Sequence, residues 1–154
     1  VVMTNGNADQ EAAPGESSLG LVKPNMQLPK TMEGSMESSF PDVIKFIESN
    51  YRVEKKKSSR AIAGLSMGGF LPREGSESPI YQNMDEKLKV QFGKHPKLYW
   101  IAIGKTDFLY KNNVDYRKKL DDNGYKYEYY ESDGGHIWKN WRIYLTKFAP
   151  MLFK

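Results

Sequence analysis

One serine in this sequence lies between glycines in a pattern that can support nucleophilic chemistry. Residues 64–69 read Gly-Leu-Ser-Met-Gly-Gly, so Ser66 is the centre of a Gly-x-Ser-x-Gly pentapeptide. The preceding residues 60–63, Arg-Ala-Ile-Ala, predict a short buried strand. A serine on a sharp turn at the end of a buried strand is held in a strained conformation with its hydroxyl exposed. The pentapeptide alone also fits an ordinary glycine-rich turn, but its position makes Ser66 the candidate nucleophile.

A serine hydroxyl needs a general base within hydrogen-bond reach, and the chain offers two histidines. His136 follows two glycines just after a strand predicted over residues 125–130. The glycines allow the loop to carry the imidazole over the edge of the sheet. His95 lies in a Gly-Lys-His-Pro loop before a strand predicted over residues 98–103, where we expect a surface histidine. His136 is therefore the candidate base.

The base in turn needs a carboxylate that orients it, and two aspartates are candidates. Asp107 follows the strand predicted over residues 98–103, at the sheet edge where ligands bind in open α/β sheets. Asp133 is only three residues from His136, and we expect it to shape that turn instead. The order Ser66, Asp107, His136 is that of nucleophile, acid and base in the α/β-hydrolases.

The elements that must position these residues alternate between helix and strand, which predicts an α/β fold. Helical periodicity predicts helices over 39–50, 85–92, 114–123 and 138–148. Gly124 is the expected C-terminal cap of the third helix. Residues 1–4 are typical of a strand end, and residues 5–36 predict a long loop because they are rich in Gly and Pro. We expect one domain over residues 1–154, since this length supports one core and not two.

The composition excludes several classes of site. The chain has no cysteine, which excludes disulfides, thiolate zinc sites and a cysteine nucleophile. Two histidines are too few for a histidine-rich metal site. The 23 basic and 19 acidic residues give a net charge of +4, and the basic residues are scattered, so we expect no nucleic-acid partner. No apolar run approaches the ~20 residues that span a bilayer, so we expect no membrane partner.

The motifs together resemble a known family. Residues 64–70, 104–107 and 134–136, with Trp138 and the Trp-Arg pair at 141–142, resemble the serine esterase family of the α/β-hydrolase fold. That family includes feruloyl esterases, acetyl-xylan esterases and esterase D. The resemblance covers nearly all of the chain and implies a three-layer α/β/α fold with a mostly parallel sheet.

The resemblance implies a serine carboxylic-ester hydrolase that forms an acyl-enzyme on Ser66, with His136 as base and Asp107 as acid. It implies the backbone N–H of Met67 as one oxyanion donor and no metal or cofactor. Trp138 would either line the substrate cleft or pack in the core. The implied substrate is a small ester or a polysaccharide ester, such as feruloyl or acetyl groups on xylan. Two alternatives stay open: a thioesterase like S-formylglutathione hydrolase, and a catalytically inactive remnant that binds carbohydrate.

The sequence departs from the family pattern in two places. Family members have an earlier strand and a His-Gly-Gly-like loop that supplies the second oxyanion N–H, and this chain begins after that point. They also follow the nucleophile with a long helix and a strand, whereas prolines and a glycine interrupt residues 71–79. We therefore expect a truncated and internally deleted relative. Xylan-directed relatives are usually exported, which implies secretion or the periplasm, although no basic-then-apolar leader precedes Val1.

Overall fold

The computed structural model describes residues 1–2, 40–69 and 82–154, and these fall into two units. The described residues of the first unit are 1–2, 40–56 and 82, and those of the second are 57–69 and 83–154. The single domain expected over residues 1–154 stays a prediction. The long loop predicted over 5–36 and the interrupted segment 71–79 lie outside the described residues. Of the expected N-terminal strand end, Val1 and Val2 have no regular structure and the other two residues are not described.

The described residues of the first unit contain one helix, α1 (Phe40–Asn50), which confirms the helix predicted over residues 39–50. Asp42 lies in its first turn, where a carboxylate interacts favourably with the helix dipole. At the other end, the N–H of Tyr51 donates to the carbonyl of Ile47 at 2.9 Å. The helix therefore ends where its apolar periodicity ends.

The described residues of the second unit alternate helices with two parallel strands. Their helices and strands are α2 (Met84–Gly93), β1 (Trp100–Gly104), α3 (Tyr110–Asp122), β2 (Glu128–Ser132) and α4 (Trp138–Phe148). Short 3-10 helices span Lys57–Ser59, Ser66–Gly69 and Ala149–Met151. The strands pair with Trp100 opposite Glu128 and Gly104 opposite Ser132. Parallel neighbours need a crossover connection, which here contains α3, so the predicted α/β layout is confirmed for this unit.

Helices cover both faces of this strand pair. A buried apolar cluster on one face joins α2, β1 and α3 through Leu88, Ile101, Tyr116 and Leu120. Trp100, the neighbour of Ile101 in β1, instead contacts the rings of Tyr144 and Phe148 in α4, at 6.3 and 5.5 Å between ring centroids. Successive strand residues point to opposite faces. It follows that α2 and α3 pack on one face of the strand pair and α4 packs on the other.

The largest shifts from the predicted boundaries are those of α3 and β2, and β1 begins two residues later than predicted. The helix predicted to begin at 114 begins at Tyr110, because the turn after β1 continues directly into it: the N–H of Tyr110 donates to the carbonyl of Asp107 at 2.9 Å. The strand predicted over 125–130 is β2, three residues later, because Tyr125 and Tyr127 pack against the apolar cluster before the strand begins. Asn123 is the C-cap residue of α3, and Gly124 follows it with a φ of 67°, the left-handed conformation expected of a glycine that ends a helix.

The strand predicted over residues 60–63 is wrong. Residues 60–65 have no regular secondary structure and are exposed, and Ile62 is 78% exposed. Within the described ranges, β1 and β2 pair only with each other, so residues 60–63 have no neighbouring strand. Backbone N–H and C=O groups without a strand partner must be satisfied by solvent or turns. The apolar composition of this segment therefore does not produce a buried strand.

The described part of the chain has no helix with the length and apolar character that a membrane span requires.

Substitution of Leu120 tests the apolar cluster between α3 and β1. Leu120 is 0% exposed, so Leu120→Ala removes a fully buried side chain and leaves a cavity. We expect the free energy of unfolding to fall by about 2–5 kcal/mol, measured by denaturant unfolding. The matched control is Leu145→Ala in α4, because Leu145 is 64% exposed, and we expect a change within about 0.5 kcal/mol. Equal losses for the two variants would contradict this packing.

Candidate active site

Three side chains from separate segments of the second unit meet beyond the carboxyl ends of β1 and β2. Ser66 begins the 3-10 helix Ser66–Gly69. Asp107 lies in the loop after β1, and His136 lies in the loop after β2. Because parallel strands end at the same edge of a sheet, the loops that follow them are neighbours. The structure thus brings together the three residues that the sequence singles out.

The three side chains form one connected chain of hydrogen bonds. The Oγ of Ser66 lies 2.7 Å from the Nε2 of His136, and the Nδ1 of His136 lies 2.8 Å from the Oδ2 of Asp107. The other carboxylate oxygen, Oδ1, accepts a bond from the N–H of Leu109 at 2.9 Å. A carboxylate only accepts, so Nδ1 of the imidazole donates to it and Nε2 is left to accept the serine hydroxyl. This arrangement suits proton transfer from Ser66 to His136.

The imidazole is enclosed more than the serine. The side chains of Asp107 and His136 are 7% and 21% exposed. Two aromatic rings contact the imidazole, with the centroid of Phe108 at 4.7 Å and that of Trp141 at 5.0 Å. The Trp141 ring stands nearly perpendicular to the imidazole, at 88°. These contacts restrict rotation of the imidazole away from Ser66.

The backbone of Ser66 has a φ of 53°, in the left-handed region that non-glycine residues rarely adopt. Strain of this kind persists where the surrounding structure imposes it, as it does at active sites. Met67 follows in the same 3-10 helix, so its backbone N–H belongs to the turn that holds the serine. The segment before Ser66 is the exposed stretch 60–65, whereas the sequence predicted a buried strand there.

The loop after β2 is held against the loop after β1 by backbone contacts. The N–H groups of Lys105 and Thr106 donate to the carbonyls of Ser132 and Gly134 at 2.9 and 3.0 Å. A Cβ built on Gly104 would lie 2.2 Å from the carbonyl oxygen of Gly134, closer than real Cβ contacts. Only glycine at position 104 permits this approach. The role of the two glycines before His136 was expected from the sequence, whereas this role of Gly104 was not.

The two other candidates from the sequence take no part in the hydrogen-bond chain. Asp133 has a 93% exposed side chain and forms an ion pair with the Nζ of Lys105 at 2.9 Å. The hydrogen bond from Lys105 to this carboxylate raises the pKa of Lys105. His95 is exposed, with a φ of 49°, and its N–H donates to the carbonyl of Phe92 at 2.9 Å.

Trp138 lies at the end of a row of rings that begins at Phe108. Its centroid is 5.0 Å from that of Trp141, which contacts the imidazole of His136. Trp138 is 68% exposed and Phe108 is 74% exposed, so neither ring is packed in the core. From the sequence, Trp138 was expected either to line the substrate cleft or to pack in the core, and Phe108 was not singled out. Phe108 could have been found from its position in the sequence, directly after the candidate acid Asp107.

No group of three or more His, Cys, Asp or Glu side chains suited to a metal occurs among the residues that the structure describes.

Two known proteins that are similar to this chain are esterases. No protein-family profile matches the chain. An acetyl esterase from Caldicellulosiruptor saccharolyticus is 41% identical over 68 residues, which are 44% of this chain and 25% of the acetyl esterase. A solved structure of a ferulic acid esterase has a similar fold, with a TM-score of 0.54 and 23% identity, over 75% of this chain and 60% of that chain.

The matches thus span only a quarter of the acetyl esterase and 60% of the ferulic acid esterase. The truncation and internal deletion inferred from the sequence stay predictions.

Asparagine substitutions distinguish the two candidate acids. In Asp107→Asn the side-chain amide can donate to Nδ1 of His136, which favours the tautomer that cannot accept the Ser66 proton. We expect the rate of Ser66 modification by a fluorophosphonate to fall by about 10³–10⁴-fold, measured by intact mass over time. Asp133→Asn is the matched control and should leave this rate unchanged within about twofold, since an exposed ion pair contributes little. A larger loss in Asp133→Asn would reverse the assignment.

Proposed function

We propose that this chain is a serine esterase of the α/β-hydrolase fold that hydrolyses carboxylic esters through an acyl-enzyme on Ser66. The observation that carries the proposal is the continuous hydrogen-bond chain of Ser66, His136 and Asp107, with distances of 2.7 and 2.8 Å. The sequence similarity to an acetyl esterase and the fold similarity to a ferulic acid esterase support the same class of reaction. The helices on both faces of a parallel strand pair support the fold.

In the proposed reaction the Oγ of Ser66 attacks the ester carbonyl while the Nε2 of His136 takes the hydroxyl proton. Asp107 holds the imidazole and stabilises its charged form. The tetrahedral intermediate then expels the alcohol, which leaves with the proton from Nε2. Water attacks the acyl-enzyme in the second half, again with His136 as base, and releases the carboxylic acid and free Ser66. The residues supply the whole proton path, so the proposal needs no cofactor.

The backbone N–H of Met67 is the proposed donor to the oxyanion. It follows the nucleophile directly, which is where the α/β-hydrolases have one of their two donors. Loss of one oxyanion donor costs about 10²–10³ in turnover, so this N–H would contribute substantially to the rate.

The proposed substrates are feruloyl or acetyl esters of plant cell-wall xylan. The names of the two similar proteins, acetyl esterase and ferulic acid esterase, support these acyl groups. The exposed ring of Phe108 contacts the imidazole, and the exposed ring of Trp138 contacts Trp141, which also contacts the imidazole. These rings offer flat surfaces for an aromatic acyl group or a sugar ring. We propose no nucleic-acid or membrane partner.

One observation favours a second candidate, a catalytically inactive remnant that binds carbohydrate. Residues 60–65, which lead to Ser66, are exposed and have no regular secondary structure, whereas an α/β-hydrolase holds its nucleophile at the end of a buried strand. In that case the hydrogen-bond chain would persist without an activated serine. Covalent labelling distinguishes the two candidates.

A fluorophosphonate tests activation of Ser66 without any assumption about the substrate. We expect a single adduct by intact mass, at a rate that Ser66→Ala reduces to background, because only a serine with a working base reacts. Ser49→Ala is the matched control, since Ser49 is an exposed serine at the end of α1, and it should label like the parent chain. A folded parent chain that gains no adduct would favour the inactive remnant.

Substrate preference tests the finer proposal. We expect hydrolysis of methyl ferulate and acetylated xylan in preference to S-formylglutathione, measured as kcat/KM. Trp138→Ala should raise KM for methyl ferulate by about 2- to 10-fold, the effect of losing about 0.5–1.4 kcal/mol of ring contact. An aliphatic methyl ester is the control and should show an unchanged KM. Preference for the thioester would overturn the xylan assignment in favour of the thioesterase alternative.

A further inference from the structure

We propose that Asn140 is a positioning residue that fixes the loop carrying His136. The inference rests on the proposed esterase function, since it concerns the base of that reaction. Asn140 is the third residue of α4 and is 3% exposed. Its Nδ2 donates two hydrogen bonds of 3.0 Å, one to the carbonyl of Asp133 and one to that of Gly135. One buried amide group therefore holds the loop at two points immediately before His136.

The loop has no carbonyl left without a donor between β2 and the histidine. The carbonyls of residues 132 and 134 accept from the loop after β1, through Lys105 and Thr106. The carbonyl of 133 accepts from Asn140, and that of 135 accepts from Asn140 and from the N–H of Ile137. Asn140 is the one side chain among these donors. Its amide therefore donates to the two carbonyls, those of residues 133 and 135, that receive no hydrogen bond from the loop after β1.

This loop needs such a restraint because its two glycines permit many backbone conformations. Gly134 has a φ of 82°, a conformation that side chains rarely allow. The amide also fits closely, since its Nδ2 lies 2.9 Å from the position that a Cβ on Gly104 would occupy. A larger residue at 140 would meet the backbone at the end of β1.

Asn140 can hold the loop in place because α4, the helix that carries it, is itself bound to the strands. The hydroxyls of Ser132 in β2 and Tyr144 in α4 are hydrogen-bonded at 2.7 Å and buried. Trp100 of β1 contacts Tyr144 and Phe148 on the same helix. Asn140 thus links a fixed helix to the loop that carries His136. A base displaced by about 1 Å can cost on the order of 10² in rate, so this link affects chemistry beyond its share of stability.

Two variants remove the donor by different routes. Asn140→Ala leaves a small void, whereas Asn140→Asp keeps the shape and places a carboxylate in the first turn of α4, which suits the helix dipole. We expect both to lower the rate of Ser66 labelling by a fluorophosphonate at least tenfold in chains that unfold cooperatively. The matched control is Asn113→Ala, because Asn113 is a 0% exposed asparagine of α3 outside the site. It should lose stability and keep the labelling rate within about twofold.

The imidazole itself provides a readout that needs no catalysis. The chain has two histidines, so NMR of protein labelled with ¹⁵N-histidine gives two sets of ring signals, with His95 as an internal reference. We expect the Nδ1–H signal of His136 to be visible in the parent chain and in Asn113→Ala. It should broaden or disappear in both Asn140 variants, since the loop no longer holds the ring against Asp107.

Each outcome decides the proposal. A folded Asn140 variant with the parent's labelling rate and an unchanged His136 signal would overturn it. Failure of both variants to fold would assign Asn140 a purely structural role and overturn it as well. A parent chain that shows the His136 signal but gains no adduct would contradict the esterase function alone, and the ring signals of the variants would still decide the role of Asn140.

Discussion

The approach of Gly104 to Gly134 fixes the separation of the two loops on which the site depends. A Cβ at 104 would lie 2.2 Å from the carbonyl oxygen of Gly134, so a larger residue would force the loops apart. The parallel register of β1 and β2 places these loops side by side, and the missing side chain lets them touch. Asp107 and His136 follow within a few residues on either loop. Their 2.8 Å contact is therefore a consequence of strand pairing and of one glycine.

The sequence predicted correctly those features that depend on local residue pattern and on the order of elements along the chain. It predicted α1 and α4 closely, because each has an apolar stripe at helical spacing. It also selected Asp107 and His136, since each follows a predicted strand, and Ser66 through its glycine-flanked pentapeptide, although the strand predicted before Ser66 is wrong. The geometry of the described residues agrees with that selection, while the roles in catalysis stay proposals.

The sequence failed where contacts between distant segments decide the outcome. Residues 60–63 have the composition of a buried strand, but a strand forms only against a neighbour, and composition cannot supply one. The roles of Phe108 and Asn140 were likewise missed. Phe108 contacts an imidazole that lies 28 residues later in the chain. Asn140 donates to carbonyls whose direction depends on the turn at Gly134. Neither pattern is visible along a single helix or strand.

Ser66 is held less firmly than Asp107 and His136, and this difference affects the rate at which Ser66 reacts. Asp107 and His136 are held by paired strands and interlocked loops, whereas Ser66 follows an exposed segment that belongs to no strand. Segments with few buried contacts open at little cost in free energy. The observed rate is then the intrinsic rate of a Ser66 that is hydrogen-bonded to His136, multiplied by the fraction of molecules in which this bond is formed. A ligand that binds only the form with this hydrogen bond would raise that fraction. Ligand binding and acylation of Ser66 would then show positive cooperativity.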